Sequence, residues 1–352
     1  MTPCAFAVPG DLATITGGYL YDRNLIEALR ASGRPVRHIV LPDSFPDPTG
    51  ADEAETLRLL LTVPEDQPLI VDGLAFGALD TGLVAQVRAP IVVMLHHPLG
   101  LEASLPADRS QALIERESAN LRHAAHIVVP SPHIARVLTA RFGVAADDVS
   151  VALPGFIRPP VLRVPKDDPP LILSVGLLAA RKGHDVLLDA LARVADLDWR
   201  CKIVGLTREP TVALSLEAQR ARLGLEERVL FAGCIADDAL QTLFAQASLF
   251  ALATRYEGYG IAFGEALLNG LPIVTCATGA VPDTVPASAG ILLPPDDPER
   301  FAAALRQLLS DPEERAARAR AAREAGDGLP GWAQTAAVMG AVLDRVAARQ
   351  RA

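Results

Sequence analysis

Two glutamates, eight residues apart, lie in the segment of this chain that is best suited to chemistry. Glu257 and Glu265 belong to the run E-G-Y-G-I-A-F-G-E-A-L-L-N-G-L-P, which follows an apolar, strand-like segment. Residues 261–268 predict a helix that stops at Gly270, so Glu257 and Gly260 fall in a tight turn between strand and helix. Such turns line the ligand crevice of an open α/β sheet. Two carboxylates, free backbone amides and a helix N-terminus in one small volume suit sugar hydroxyls and phosphate.

The whole frame, E-G-Y-G-I-A-F-G-E-A-L-L-N-G-L-P-I-V, resembles the signature of the retaining GT-B glycosyltransferases of family 4. The resemblance implies that Glu257 lies by the donor sugar, and that the amides around Tyr259, Gly260 and Ile261 help to orient that sugar. It also implies that Glu265 hydrogen-bonds to the ribose of the nucleotide. A bare pair of glutamates at this spacing would indicate nothing, and it is the length of the frame that makes the signature specific.

Two other interpretations of this segment stay open at the level of the sequence. Each glutamate could be an ordinary acidic residue, one solvated in a loop and the other favoured near a helix N-terminus. The glycines at 258, 260 and 264 also approach the dinucleotide fingerprint G-x-G-x-x-G, but the spacing is one residue too long. The following strand-like run leads into Thr278 and Gly279 rather than into an acid, which makes the fingerprint the weaker interpretation.

A basic pair follows the first strand-like run of the second half of the chain, in G-L-L-A-A-R-K-G-H from Gly176. Two cations beside a helix N-terminus can stabilise a diphosphate leaving group without a metal. The resemblance implies this role for Lys182, which stands at the family's lysine position. Leu177 stands where the family has an arginine, and we expect Arg181 to supply the missing charge. An exposed basic pair in a loop is the alternative.

Two histidines end the strand-like run I-V-V-M-L-H-H-P. Adjacent residues of a strand point to opposite faces, so at most one of the two is expected to enter a site directly. His96 aligns best with the family histidine that lies near the donor sugar and the acceptor. No metal is expected, because no other group of ligand residues has a matching spacing.

Three further positions are assigned mainly by the resemblance. Gly17 and Gly18 precede the first predicted helix and would let backbone amides approach the donor phosphates closely. Ile235 belongs to the segment after the third strand of the second half, where the family seats the nucleotide base against the backbone.

Composition indicates an ordinary α/β enzyme: of 352 residues, half are hydrophobic, and the net charge is −9. That charge argues against a nucleic-acid partner, which needs a clustered basic face. A local basic or apolar face would still allow a peripheral membrane contact. The N-terminus lacks a signal-peptide pattern, and no apolar run approaches the roughly 20 residues that span a bilayer. The four scattered cysteines are expected to be buried free thiols, so we expect a cytoplasmic protein.

Strand-like and helix-like segments alternate almost from end to end, which predicts parallel sheets with crossover helices. The fold class is therefore α/β. The resemblance implies the GT-B architecture, with two doubly wound Rossmann-like domains facing each other across a cleft. We expect an acceptor-side domain over residues 1–157, a proline-rich linker over 158–170 and a nucleotide-sugar donor domain over 171–330. A last helix over 331–352 is expected to cross back to the N-terminal domain.

The resemblance implies a retaining, metal-independent hexosyltransferase that moves a hexose from a nucleotide diphosphate sugar, UDP- or GDP-hexose, to a hydroxyl acceptor. No cofactor is expected beyond this donor. Retention rests on the resemblance alone, and the sequence identifies neither the donor nor the acceptor. Two alternatives stay open. One is a non-catalytic, nucleotide-sugar-binding relative, which the leucine at position 177 would support, and the other is a nucleotide-sugar epimerase.

Overall fold

The computed structural model describes residues 1–102, 105–159, 162 and 164–351. The chain forms two compact units. The first comprises Met1–Gly155 and Pro330–Ala352, and the second comprises Phe156–Leu329. Part of the predicted linker, residues 160, 161 and 163, lies outside the described residues. Its described residues form neither helix nor strand.

A parallel sheet is the centre of the first unit. Its strands, within the described residues, are β1 (Cys4–Pro9), β2 (Val36–Leu41), β3 (Leu69–Asp72), β4 (Ile91–Met94), β5 (Ala124–Val129) and β6 (Val149–Val151). Their order is β2-β1-β3-β4-β5-β6, so the chain reverses direction across the sheet between β1 and β3. The central strands read as continuous apolar runs because helices cover both faces of such a sheet.

Helices connect these strands. They are α1 (Gly17–Ala31), α2 (Gly50–Leu60), the short α3 (Gly73–Phe76) and α4 (Thr81–Val84), α5 (Ala107–Leu121) and α6 (Pro132–Arg141). Helix α1 buries Tyr21, Leu25 and Leu29 against the sheet, at the spacing of one helical face. Its opening at Gly17 therefore lies beside the ends of β1, β3 and β4.

The second unit has the same plan. Its strands are β7 (Leu171–Val175), β8 (Arg200–Val204), β9 (Val229–Gly233), β10 (Leu249–Leu252), β11 (Ile273–Cys276) and β12 (Gly290–Leu293). They are parallel in the order β12-β11-β10-β7-β8-β9. The order reverses between β7 and β10. Ligands of open α/β sheets bind at such a reversal, beyond the carboxyl ends of the strands.

The helices of the second unit are α7 (His184–Ala192), α8 (Pro210–Arg222), α9 (Asp237–Gln246), α10 (Ile261–Leu268), α11 (Val281–Thr284), α12 (Pro298–Ser310) and α13 (Pro312–Asp327). Trp199 and Phe301 are among the largest fully buried side chains of this unit. The predicted helix over residues 261–268 is confirmed at the same bounds, with Gly270 just beyond it at φ +63°.

The last helix, α14 (Trp332–Arg351), belongs to the first unit. Its residues Met339 and Leu343 are buried in the same apolar cluster as Leu25 of α1. Arg34 is 3% exposed and pairs with Asp344 of this helix at 2.9 Å. Charge pairing and apolar burial together hold α14 against α1.

Two further expectations concern cysteines and the membrane. Cys4, Cys201 and Cys276 are buried free thiols, as expected, but Cys234 is exposed. It follows the last residue of β9, a strand of which only Val229 is buried. Among the helices of the described residues, none is both long and apolar enough to cross a bilayer.

Candidate active site

The turn between β10 and α10 carries the first of the two glutamates. Gly260 caps α10 in a left-handed conformation at φ +86°, and a Cβ there would collide with the ring of Phe263. Only glycine adopts this geometry without strain. The backbone N–H groups of Ile261 and Ala262, at the start of the helix, have no acceptor within the described part of the chain. Free N–H donors at a helix N-terminus are a general means of binding anions and hydroxyl oxygens.

Glu257 is 5% exposed and sits among cations. Its Oε1 accepts hydrogen bonds from Lys182 Nζ at 2.6 Å and from Thr254 Oγ1 at 3.0 Å. Arg181 Nη1 lies 3.7 Å from Oε2. Burial opposes ionisation of this carboxyl, but the charges of Lys182 and Arg181 and the two hydrogen bonds prevail and lower its pKa. The side chain is therefore a buried carboxylate at neutral pH.

The basic pair reaches this carboxylate because the loops after β7 and β10 pack directly on each other. Arg181 and Lys182 lie in a 3₁₀ turn that ends at Gly183, whose φ is +64°. A Cβ at Gly183 would overlap the carbonyl oxygen of Ala253. The Thr254 hydroxyl oxygen lies 3.1 Å from the Arg181 carbonyl oxygen, which places it against the other side of this contact. Neighbouring strands thus bring together residues 75 positions apart.

Arg255 links the loops after β7 and β10 by hydrogen bonds and ion pairs. Its backbone N–H donates to the Arg181 carbonyl at 2.8 Å, and its guanidinium donates to the Ala180 carbonyl. The guanidinium also pairs with Asp185 and with Asp296, each at 2.7 Å. No feature of the sequence frame singled out Arg255 or Thr254. Their roles become visible only when the strand order places the two loops side by side.

A third loop, after β11, holds the backbone of the glutamate. The N–H of Ala280 donates to the Glu257 carbonyl at 2.9 Å, and the Thr278 hydroxyl donates to the Arg255 carbonyl at 2.7 Å. Gly279 has φ +55°, and a Cβ there would overlap the backbone of Glu257. The position of the carboxylate is therefore fixed from two sides, which preorganises it for a ligand.

Glu265 stands apart from this ion cluster. It lies on α10, half-buried, and its carboxyl group makes no hydrogen bond or ion pair with any described residue. Burial, with a smaller contribution from the charge of Asp237, raises its pKa to about 7. A half-buried carboxyl without partners is costly unless something else completes its hydrogen bonds, so this group is ready to receive hydroxyl donors.

Two predicted positions of this unit have mainly structural contacts. Tyr259 is 7% exposed, and its carbonyl accepts a hydrogen bond from the Thr284 hydroxyl at 2.9 Å. Burial raises the pKa of its phenol to about 12, so the side chain stays neutral. Ile235 is half-buried and packs on the apolar cluster behind α10. Any contact of these residues with a ligand therefore involves mainly their backbone.

The first unit brings its three predicted residues together. Gly17 and Gly18 do not precede α1 but are its first two residues, because Thr16 caps the helix by accepting from the Tyr19 N–H. A Cβ on Gly18 would lie 3.4 Å from the His96 ring. The two glycine N–H groups find no acceptor among the residues described. The His96 ring therefore lies close against the first turn of α1, within van der Waals distance of a Cβ at position 18.

His96 lies two residues beyond the end of β4 and contacts two aspartates that the sequence analysis did not single out. Its Nε2 lies 2.9 Å from Asp22 Oδ1 and 3.5 Å from Asp72 Oδ2. Asp22 is on α1, one turn after Gly18, and Asp72 is the last residue of β3. An acid at the end of a central strand and another on the facing helix were the available signals. The ligand atoms of the three residues lie within 4.8 Å of one another, which also suits a metal ion.

Comparison with known proteins places this geometry in a family context. The family model described as glycosyl transferases group 1 matches residues 163–325. The D-inositol 3-phosphate glycosyltransferase 1 of Catenulispora acidiphila is 30% identical over 255 residues, which cover 65% of this chain and 61% of that protein. The chain spans 26%, 41% and 61% of the length of three curated relatives, in each case less than two thirds.

Two solved structures match nearly the whole chain. Sucrose-phosphate synthase from Thermosynechococcus elongatus superposes with a TM-score of 0.83 at 22% identity, covering 99% of this chain and all of that one. The Anabaena protein HepE, in complex with UDP and glucose, superposes with a TM-score of 0.77 at 19% identity, covering 98% of this chain and 100% of that one. At these identities the likeness concerns the fold, and it confirms the predicted α/β fold class of GT-B type.

Proposed function

Because residues 163–325 match the family model of the glycosyl transferases group 1 and the chain has the GT-B fold, we propose that it is a glycosyltransferase. In this proposal it moves a hexose from a nucleotide diphosphate sugar to a hydroxyl acceptor, with retention at the anomeric carbon and without a metal. The observation that carries the proposal is the ion cluster of Glu257, Lys182 and Arg181 at the point where the strand order of the second unit reverses.

The basic pair is assigned to the diphosphate. As the glycosidic bond breaks, negative charge grows on the leaving phosphate oxygens, and fixed cations stabilise that charge more than they stabilise the ground state. Lys182 and Arg181 are held on a rigid 3₁₀ turn, with side chains 11% and 28% exposed. Arg181 supplies the second charge in place of the missing arginine at position 177. Together they make a divalent cation unnecessary in this proposal.

The carboxylates are assigned to the hydroxyl groups of the donor. Glu257, with the amides of Ile261 and Ala262, is placed beside the hexose, and its Oε2 has only the distant Arg181 as a described partner. Glu265 is assigned to the ribose, because an unpartnered carboxylate can accept from both hydroxyls of a vicinal diol. The free N–H groups of Gly17 and Gly18 and the nearby His96 belong to the first unit. We assign the two glycine N–H groups to the donor phosphates, and His96 to the positioning of the sugar and the acceptor.

The alternative of a non-catalytic relative keeps one supporting observation. The Leu177 side chain has no charge to offer a diphosphate. Its backbone carbonyl oxygen contacts His184 Nε2 at 3.1 Å. A donor-binding protein of this kind would bind nucleotide without turnover. An epimerase would instead hydrolyse or isomerise the donor with no acceptor present.

A ligand screen tests the proposal. We would measure the thermal unfolding of the wild type with UDP, GDP, ADP and their sugars, each with Mg²⁺ or with EDTA. A nucleotide at 100 times its Kd adds about 2.7 kcal/mol of stability, which raises Tm by roughly 4 °C for cooperative unfolding of the whole chain and by roughly 5–10 °C for unfolding of the second unit alone. We expect one nucleotide to do so in EDTA, Glu265→Ala to reduce the shift, and Glu226→Ala, at an exposed glutamate of the same unit, to preserve it.

Turnover of the matching sugar then separates the candidate functions. Slow release of free nucleotide together with the unchanged hexose of the donor supports the transferase, since water is the simplest acceptor. Binding without any release of nucleotide supports the non-catalytic relative, and conversion to an isomeric nucleotide sugar supports the epimerase. If no nucleotide shifts Tm, the assignment of the donor site is wrong.

A further inference from the structure

The aspartates beside His96 form a small, buried network of their own. Asp22 is 1% exposed and Asp72 is 5% exposed, and the two come from different elements, α1 and β3. Both carboxyl groups lie beside the same ring nitrogen, Nε2 of His96, at 2.9 and 3.5 Å. A histidine that only filled space at a strand end would not need two buried acids at one nitrogen.

The position of each acid is fixed independently of the histidine. Asp72 Oδ1 accepts from the backbone N–H of Leu74 at 2.9 Å, because Asp72 caps the short helix α3. Asp22 is held by α1, whose neighbouring Tyr21 is 1% exposed and donates to the carbonyl of Ala152 at 2.8 Å. The carboxyl pair is therefore a preformed acceptor to which the ring adjusts.

The ligand oxygens of the two carboxyl groups lie within 4.8 Å of each other, and like charges this close in a buried place disfavour ionisation. Burial and the charge of Asp22 raise the pKa of Asp72 to about 8, and a hydrogen bond to Asp22 contributes. Asp72 therefore favours its protonated form at neutral pH, and the shorter contact of His96 Nε2 is the one with Asp22 Oδ1, at 2.9 Å.

The surroundings of the ring favour the protonated form of His96. Burial works against it, but the charge and hydrogen bond of Asp22, with a smaller contribution from Asp72, raise the pKa of His96. Tyr21 meets the ring edge-on with centroids 5.1 Å apart and is itself neutral, because burial raises its pKa. Gly18 contributes only backbone. Among the described residues, no lysine or arginine contacts the ring, and Nδ1 has no hydrogen-bond partner.

We propose that Asp22 and Asp72 are positioning residues that hold His96 with Nε2–H on the carboxyl pair and Nδ1–H available as a donor to an oxygen of the substrate. This proposal rests on the proposed function. The present proposal adds that His96 acts as a charged hydrogen-bond donor and not as a general base. A base would need an unprotonated Nδ1 at neutral pH, which the carboxyl pair disfavours.

The first test uses NMR on the free, full-length protein labelled with ¹⁵N-histidine. The signal of His96 is identified by its loss in His96→Gln. We expect both ring nitrogens to be protonated at pH 7 in the wild type. Asp22→Asn should move the titration of His96 to lower pH, because it removes the carboxyl group at 2.9 Å from Nε2 and leaves only Asp72 at 3.5 Å, and Asp72→Asn should move it less. The control Asp66→Asn, at an exposed aspartate of the same unit, should not move it.

Other NMR results would overturn the proposal. These are a neutral His96 at pH 7 in the wild type, or a titration that Asp22→Asn leaves unchanged. A spectrum that changes when EDTA or Zn²⁺ is added would show a metal site in place of the positioning pair. If Asp22→Asn fails to fold, as monitored by circular dichroism, two measurements remain. The protonation of the wild-type ring and its comparison with Asp72→Asn still decide whether the carboxyl pair holds His96 in its protonated form.

The second test measures kcat and KM for hydrolysis of UDP-glucose and GDP-mannose. Asp22→Asn should lower kcat roughly tenfold or more while KM changes less than twofold, since the lost donor acts mainly on the transition state. A change in KM alone would overturn the positioning role. Because the NMR test needs no activity and the nucleotide screen reports on the second unit, failure of this inference is distinguishable from failure of the proposed function.

Discussion

Lys182 Nζ lies 2.6 Å from Glu257 Oε1, and this pair joins the loops that follow two adjacent strands, β7 and β10. Both side chains are nearly buried, at 11% and 6% exposure. A buried ion pair contributes little net stability, but removal of one partner leaves an uncompensated charge. The pair is therefore better suited to keeping a cation in place for an incoming anion than to stabilising the fold.

Lys182→Met should destabilise the protein by about 3 kcal/mol, because the buried Glu257 would lose its nearest cation and keep Thr254 and the more distant Arg181. Glu257→Gln added to it should restore most of that stability, since no unpaired carboxylate remains, but should not restore turnover. Urea unfolding and initial rates of donor hydrolysis measure the two quantities.

A matched control comes from an exposed ion pair of the same unit. Arg306 and Asp196 are 43% and 61% exposed, so Arg306→Met should cost no more than about 1 kcal/mol and leave turnover unchanged. Equal losses of stability in Lys182→Met and Arg306→Met would contradict the picture of a buried, constrained pair.

Arg255→Lys should lower kcat/KM for the donor roughly tenfold, although the charge is kept. The guanidinium bridges Asp185, Asp296 and the carbonyl of Ala180, and a lysine cannot reproduce this fork of donors. The loop that carries Arg181 would then be held less rigidly, and small misplacements of catalytic groups are costly. Steady-state kinetics measure the loss. A variant within twofold of the wild type would show that the bridge is dispensable.

The sequence predicted the local parts of this site well and the contacts between strands poorly. The turn and helix around Glu265 follow from apolar spacing and from Gly260 and Gly270, which act within a few residues. Arg255 and Asp72 were missed because their partners are set by which strands are neighbours, β7 beside β10 and β3 beside β4. No spacing rule within one segment encodes that order.

Gly279→Ala should destabilise the protein more than the same change at Gly224. Both glycines have positive φ, +55° and +65°, so the backbone strain that an alanine introduces should be similar at the two positions. A Cβ at Gly279 also overlaps the backbone of Glu257, whereas a Cβ at Gly224 meets open space. Thermal unfolding should therefore show an excess loss of roughly 1–3 kcal/mol at Gly279, together with weaker nucleotide binding. Similar losses of stability in both variants would mean that the loop after β11 shifts away from Glu257 at no further cost in stability.

Nucleotide affinity should rise with pH through about 7, where burial places the pKa of Glu265. The ionised carboxylate accepts from both hydroxyls of a ribose, whereas the protonated group accepts less well, so binding should be full above that pH and weaken as pH falls below it. Binding then lowers the pKa of the carboxyl and releases a proton. Calorimetry at pH 7 in two buffers of different ionisation enthalpy measures this release.

The stability of the free protein should change with pH in the opposite direction. The pKa of Glu265 is raised on folding, so between its ordinary value near 4.5 and about 7 the native state binds more protons than the unfolded state. The contribution of Glu265 to the free energy of unfolding therefore falls as pH rises from about 4.5 to about 7. Glu265→Gln should remove this fall, the proton release and the pH dependence of affinity together. If the variant keeps the pH dependence of affinity, another group carries it, and Glu265 is not the ribose ligand.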